Sequence, residues 1–539
     1  MMRRRTFVLG AAALAGGGAG LFGISQSLHA TVQYPGRKAG HRLRDAAPLP
    51  EPTESYDTEV LIAGSGVAGL TAAWQLGKRG VADLMLLSGP EPQGNSACGR
   101  DGDLSFPTGA HYLPLPSMES RHIREMLGEF GVIQGDPYAL RPRFDERYLV
   151  HGPAERVLYD QSWEDGYLPS ERVPANERAD HQRFFALVEQ YSTALGSDGR
   201  RAFAVPLERS STDARYRALD AQSFKSWLEA QNLRAPTLTW YLDYCCRDDY
   251  GRHFDEISAW AGLHYFCGRG GLAANADRGA VLTWPEGLSA LATRLEQAVP
   301  SSFTVRGASV ARLRTTATGV EALCVSGDDG DLRCFRVRAR LAIAAMPLFV
   351  LAHILEDGAR HGFDSRRDVP QYAPWLVSNF LMHAFPEEQP GSPLCWDNVV
   401  YREPGLGYVV STHQDIRMSL PRRSAFTAYY ALSEFAPDAG RRWLDRATVP
   451  ELTEMAARDL RLAYGWRLPL CVERVEITVR AHAMAIPHPG FLSNPGVAAL
   501  RDSAGPLYFA HSDLSGLSLF EEAAYWGYRA AERLAARRG

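Results

Sequence analysis

An α/β fold of two interleaved domains, one of Rossmann type and the other α+β, is predicted by three features of the sequence. A glycine-rich turn near residue 64 joins a predicted strand to a predicted helix. Alternating apolar strands return at 303–345, and a strand, a loop and a helix close the chain. Between these blocks, 119–283 and 370–480 carry helical and mixed segments without the strand–helix alternation of the first unit. With 539 residues, 45% hydrophobic and 22% charged, the chain is long enough for two domains, each with its own core.

The N-terminus stands apart from this fold. "RRRTFVLGAAALAGGGAGLFG" has a basic head and an Ala/Gly-rich apolar run, followed by "SLHA", whose small residue Ala30 is a candidate cleavage point. Arg4-Arg5-Thr6-Phe7-Val8 resembles a bacterial twin-arginine signal, a route that carries folded proteins, so the mature protein is expected to be periplasmic or otherwise extracytoplasmic. The glycine-rich run is a poor membrane anchor, and no other stretch reads as a span. Residues 31–54, rich in Pro, Arg and Gly and lacking periodicity, read as a linker.

From Tyr56 the chain reads strand, turn, helix, strand: "TEVLIAGSGVAGLTAAWQLGKRG", then "LMLLSG". In Gly64-Ser65-Gly66-Val67-Ala68-Gly69, the first glycine permits a tight turn. The second lets the backbone approach a pyrophosphate, and the third packs the helix against the strand. The free N–H groups of that helix start, carrying about half an elementary charge, face the phosphates. The second strand of such a unit normally ends in Asp or Glu, which holds the ribose hydroxyls. Here it ends in Ser88, and Glu91 is the nearby acid able to substitute.

Further along, 119–275 reads mostly as helices, and "FTVRGASVARLRTT", "GVEALCVSG" and "LRCFRVRARLAIAAMP" read as strands. Cys324 and Cys334 flank a tight turn and are either bridged across a hairpin or two buried thiols. None of the eight cysteines forms a metal-type CxxC, so no metal is expected. A formal net charge of −4, with no basic stripe interleaved with aromatics, argues against a nucleic-acid partner.

The closing stretch "YFAHSDLSGLSLFEEAAYWGYRAAERL" resembles the FAD-binding end of the flavin amine oxidase superfamily. Phe509, Ala510 and Asp513 fall on its Phe, Ala and acidic positions, and Glu521, Ala523 and Gly527 keep the spacing of its last helix. His511 and Glu522 replace glycines. "PQGNSACGRDGDLSFPTGAHYLPLPS", "WPEGLSAL", "ASVARL" and "LAIAAMPLFVL" resemble further elements of that family, in its order.

The resemblance implies FAD as cofactor. It nominates Asp513 for the ribityl chain, the Leu519–Phe520–Glu521 backbone for the pyrimidine edge, and Val310 for the adenine. Gly94, Ser96, Gly109 and Ala110 would line the ring and its loop, with the Arg100 guanidinium at the pyrophosphate. It also implies a FAD-binding domain of 55–118, 284–369 and 481–539, with 119–283 and 370–480 as the substrate domain.

For proton handling the candidates are His111, which the aligned motif puts near the ring, and His413, which ends a strand expected to wall the site. His482 and the pair Asp248-Asp249 are candidate substrate contacts. Asp248-Asp249 is either an anchor for a cationic amine or an exposed helix end. Many members of the superfamily hold a water against the flavin with a lysine. This chain has only Lys38, Lys78 and Lys225, none placed for that role, so a quinone or carrier competes with O2 as electron acceptor.

The expected activity is hydride transfer to flavin from a small amine or polyamine. A desaturase or C–C dehydrogenase of the same fold, a flavin-binding electron-transfer or assembly protein, and an NAD-dependent dehydrogenase are the rivals.

Overall fold

A computed structural model describes residues 28–327, 331–415 and 421–538. The twin-arginine segment and the tip of the turn between Cys324 and Cys334 lie outside the described residues.

The first sheet runs in the order Thr304–Arg306, Leu84–Leu87, Glu54–Ala63, Arg333–Ala344, Val320–Ser326, Ser309–Thr315. The strands up to Arg333–Ala344 pair in parallel, and the last two extend the sheet antiparallel. The short strand Leu507–Phe509 pairs in parallel with the second half of Arg333–Ala344. The central strands are buried on both faces, as a parallel sheet requires, which is why "VLIA" and "LMLL" read as continuous apolar runs. The helices Val67–Lys78 and Phe520–Arg538 pack on it.

The register decides the cysteine question. Cys324 lies opposite Phe335, and Cys334 opposite Val325. Side chains alternate faces along a strand, so the two thiols point to opposite sides of the sheet and join different apolar clusters. Both are free and buried, and the bridge is excluded.

The second sheet orders Ala30–Gln33, Val472–Ala485, Tyr372–Met382, Ser424–Ala431, Tyr408–Val410, Asp397–Val400, Glu155–Tyr159 and Ser162–Asp165. Its outermost hairpin, 155–165, falls in a stretch expected to be mostly helical; the short alternation in "ERVLY" was outweighed by the helical periods on either side. Alternation divides its side chains. Trp375, Val377, Tyr429 and Ala431 face the helices of 175–267, whereas Leu376, Phe380, Ala428 and Tyr430 face the helix Val449–Tyr464. That last helix starts on a capping box between Thr448 and Glu451.

Residues 31–54 are not an unstructured linker. Ala30–Gln33 adds a parallel edge strand to the second sheet, and the helix Arg37–Arg44 follows. Leu43 and Leu49 then pack beside Ala311 and Val325 of the first sheet. Backbone pairing and the spaced leucines order a segment whose composition alone reads as loop. No helix among the described residues is long and apolar enough to cross a membrane.

Candidate active site

The glycine turn fits its expected form. Gly64 takes φ +113°, and a Cβ there would stand 2.3 Å from the Ala345 carbonyl oxygen. A Cβ on Gly69 would stand 1.9 Å from the Gly64 oxygen, so the helix seats directly on the turn. Gly66 is different: no atom lies within 4 Å of its Cβ position, leaving a slot over its backbone. Gly94 faces that slot, its Cβ position 4.0 Å from the Gly66 Cα. The helix Val67–Lys78 begins here with Val67 and Ala68 buried, and its first N–H groups point at the slot.

Around this cradle the expected polar residues have other partners. Ser88 donates its hydroxyl to the Gly89 carbonyl at 3.2 Å and accepts on its own carbonyl from Ser65 at 3.0 Å. The Glu91 carboxylate, expected to stand in for the missing ribose acid, lies 2.8 Å from Nη1 of Arg480. Arg100, expected at the pyrophosphate, is exposed on the hairpin Cys98–Asp101/Leu104–Pro107, opposite Ser105. Asp101 beside it is held by Arg423 and Arg474. The hairpin pleat turns Arg100 outward, and Arg480 is the arginine on the glycine loop. It donates from Nε to the Thr108 carbonyl at 3.0 Å and lies 3.5 Å from the Gly94 carbonyl.

Ser96 is buried in the short turn Gly94–Ser96. A Cβ on Gly109 would stand 2.1 Å from the Asn95 oxygen, which accepts from the Ala110 N–H at 2.9 Å. Ala110 stays exposed, and Val310 is buried at a bulge in its strand.

In the closing segment, Asp513 is 2% exposed. Its Oδ2 accepts from the Leu348 N–H at 2.9 Å and from the Tyr372 hydroxyl, and His511 Nδ1 lies 3.2 Å from Oδ1. Burial alone would raise its pKa, but His511 and the Tyr372 hydroxyl outweigh burial and hold it below the ordinary value. His482, expected among the substrate contacts, stacks on Phe349 at 4.3 Å and meets Tyr372 edge-on at 5.9 Å. It therefore packs on Tyr372, the residue that donates to Asp513, and burial lowers its pKa to about 4.

Leu519 is half-buried, and the helix starts at Phe520, with the Glu521 carbonyl 2.8 Å from His122 Nε2. The Ala523 N–H donates to the Leu519 carbonyl. Glu522, in place of a glycine, accepts from the Leu207 N–H at 2.6 Å and the Ser515 hydroxyl at 2.5 Å. Burial pushes its carboxyl up to about 7.

His111 sits in an aromatic cluster. It stacks on Tyr429 at 4.7 Å and lies 4.9 Å from Tyr112 and 5.6 Å from Trp396. The residue is half-buried, but its Nε2 is sealed from solvent and has no partner. Burial lowers its pKa to about 3, so the ring is neutral at pH 7.

Asp248 and Asp249 end the helix Pro236–Tyr250, which is capped by Gly251 at φ +71°. A Cβ on Gly251 would stand 2.4 Å from Ala373 and 2.6 Å from Trp375. The missing side chain lets the helix end press onto the second sheet, so this pair is not an exposed helix end. Asp249 is buried and paired with Arg269, whose guanidinium lies 4.7 Å over the Tyr265 ring.

The Asp248 carboxyl has no hydrogen-bond partner among the described residues. Burial first, then the Asp249 charge, push it up to about 7. Its charge acts on Tyr112, Tyr244 and Tyr429, and Tyr112 and Tyr429 are two of the rings packed on His111. Asp397, buried and accepting from the Tyr167 hydroxyl at 2.9 Å, is raised well above the ordinary value by burial and then by Asp248.

His413 does not join them. Its Nε2 lies 3.0 Å from the His151 carbonyl, and the turn after Tyr408–Val410 carries it toward that loop. Lys225 lies 5.9 Å over Phe254, and Lys78 pairs with Glu125 and Glu129. Tyr112, Trp396, Tyr429, Asp397 and Arg480 carry no motif. The one available signal was Tyr112, adjacent to His111 in the resembling stretch.

A family model for an NAD(P)-binding Rossmann-like domain matches residues 62–130. No curated protein sequence matches the chain. Among solved structures, putrescine oxidase bound to putrescine is 16% identical with a TM-score of 0.61, over 90% of this chain and 100% of that one. Cyclohexylamine oxidase from Brevibacterium oxydans IH-35A is 17% identical with a TM-score of 0.61, over 89% and 99% of the two chains. A CLA-producing fatty acid isomerase from P. acnes is 16% identical with a TM-score of 0.56, over 88% and 98%. The chain has a Rossmann-like unit and, over nine-tenths of its length, the fold that these enzymes share.

Proposed function

We propose that the protein is a FAD-dependent oxidoreductase that oxidises a small amine, recognised as its ammonium ion and losing its extra proton to water before the hydride leaves as the neutral amine becomes an iminium. The observation that carries this reading is the Asp248 carboxyl, without a hydrogen-bond partner among the described residues, whose charge acts on Tyr112 and Tyr429, the rings packed on His111. An ammonium suits such a site. Aromatic faces attract it by about 0.5–2 kcal/mol, and a carboxylate beside them adds a charge-assisted hydrogen bond.

The open slot at Gly66 and Gly94 and the helix start at Val67 fit a dinucleotide pyrophosphate. Asp513, with Tyr372 and His511, is placed by its motif at the ribityl chain. Bound FAD supplies the hydride acceptor. The neutral His111, packed among Tyr112, Trp396 and Tyr429, forms an aromatic wall of the site. We also infer export through the twin-arginine route from residues 1–30, with O2 or a quinone as electron acceptor.

Anaerobic mixing of the holoprotein with amines, polyamines and saturated lipids tests the reading. Amines alone are expected to bleach the flavin absorbance; a spectrum unchanged by every amine sinks the amine substrate. A second reading, a C–C dehydrogenase or desaturase, is favoured by the apolar walls and by Lys78 and Lys225 lying far from the cluster, in contacts of their own. Bleaching by a saturated lipid and by no amine would establish it.

A further inference from the structure

The Arg480–Glu91 pair crosses between the two sheets. Arg480 belongs to Val472–Ala485 in the second sheet, and Glu91 follows the second strand of the Rossmann unit. The Arg480 side chain is 5% exposed and that of Glu91 29%. Three distinct groups of the guanidinium are engaged. Nη1 meets Glu91 Oε2 at 2.8 Å, Nε donates to the Thr108 carbonyl at 3.0 Å, and Nη2 lies 3.5 Å from the Gly94 carbonyl and 3.4 Å from the Thr108 hydroxyl. Gly94 is the residue whose Cβ position faces the Gly66 Cα at 4.0 Å. The guanidinium thus stands one residue behind the slot at the start of Val67–Lys78.

A buried arginine is kept charged and needs an anion, and its planar fork suits phosphate oxygens. Glu91 supplies the anion here at a position where a second negative group, a pyrophosphate, would repel it. Arg100, the arginine of the local sequence pattern, is exposed elsewhere.

We propose that Arg480 is the pyrophosphate cation and loop-positioning residue of this protein, contributed by the substrate sheet, and that Glu91 holds it in place while opposing the phosphates. The inference rests on the FAD reading. It makes cofactor retention depend on docking of the second sheet, because the same side chain donates to the Thr108 carbonyl and lies 3.5 Å from the carbonyl of Gly94, the residue across from Gly66.

The two partners are then expected to act in opposite directions. Flavin release from the holoprotein on dilution, followed by recovery of flavin fluorescence, gives the affinity, and thermal unfolding of the flavin-free protein gives the structural cost. Arg480→Gln is expected to weaken FAD by about tenfold or more, Arg480→Lys by less, and Glu91→Gln to tighten it.

Loosening by Glu91→Gln and Arg480→Gln alike, with parallel losses of Tm in the flavin-free protein, would show a structural clasp and overturn the proposal. So would an Arg480→Lys variant as weak as Arg480→Gln, or an unchanged affinity in all three. Wild-type protein that takes up no flavin at all would remove the FAD reading itself, a result separable from any of these.

Discussion

A single carboxyl sets the pH behaviour expected of the pocket. Asp248 is raised from an ordinary 3.8 to about 7 by burial and by Asp249, so the folded protein keeps it protonated to near neutrality. The sign follows by linkage: its contribution to stability is full below the unfolded value and is lost as pH rises through about 7, where a buried charge must form without a partner. A bound ammonium provides that partner. The apparent KM for an amine is therefore expected to fall as pH rises through about 7, with the histidine at 111 already neutral across the range. Asp248→Asn should remove this limb and raise KM by about ten- to a hundredfold with a smaller change in kcat. A pH profile identical in wild type and Asp248→Asn would exclude the assignment. Of the aspartates nearby, Asp249 is paired with Arg269 and Asp397 accepts from Tyr167, whereas the Asp248 carboxyl has no hydrogen-bond partner among the described residues.

At the scale of elements, the cofactor half depends on backbone contacts that admit no side chain. The helix Phe520–Arg538 crosses Val67–Lys78 at Gly527, where a Cβ would stand 2.1 Å from the Ala68 carbonyl oxygen. Ala68 lies in the first turn above the glycine slot, so pushing the helices apart moves the N–H groups offered to the phosphates. Gly527→Ala is expected to cost about 1–3 kcal/mol from overpacking and to release flavin faster. Differential scanning calorimetry and flavin release check it, and an unchanged Tm with unchanged release would refute the close crossing.

These elements were largely legible. The glycine spacing, the continuous apolar strands and the last helix each leave a local signature. The hairpin 155–165 and the strand Ala30–Gln33 leave none strong enough, because pairing with distant strands orders them. The Cys324–Cys334 geometry needed the register, since a turn of unknown tip does not determine which face each thiol takes.

For the whole molecule, the second sheet and the Rossmann sheet are joined by more than adjacency. Residues 30–53 begin as an edge strand of one and end on the other, and Gly36, at φ +66°, has a Cβ position 3.5 Å from Glu91. Arg37 adds an ion pair to Asp445 at 3.0 Å. A protein assembled in this way fits a route that carries folded, cofactor-loaded chains. Replacing Arg4 and Arg5 together with lysines is accordingly expected to leave flavin-bound protein in the cytoplasm. Cell fractionation followed by flavin absorbance checks this, and undiminished export would overturn the twin-arginine assignment.

The sequence by itself determined the Rossmann turn, the strands of the first sheet and the closing segment, because spacing along a helix or strand is a local property that glycine and apolar periodicity record. It also put His111 beside the glycine turn of the resembling stretch. Only the tertiary structure decided that the Asp248 charge acts on Tyr112 and Tyr429, that His482 packs on Phe349 and Tyr372 and His413 bonds the His151 carbonyl, and that Arg480 rather than Arg100 reaches the glycine loop. Those groups come from strands and helices far apart in the chain. Their meeting depends on which face each strand turns inward and on a glycine cap that presses one helix end onto a sheet, and neither is written in any short stretch of residues.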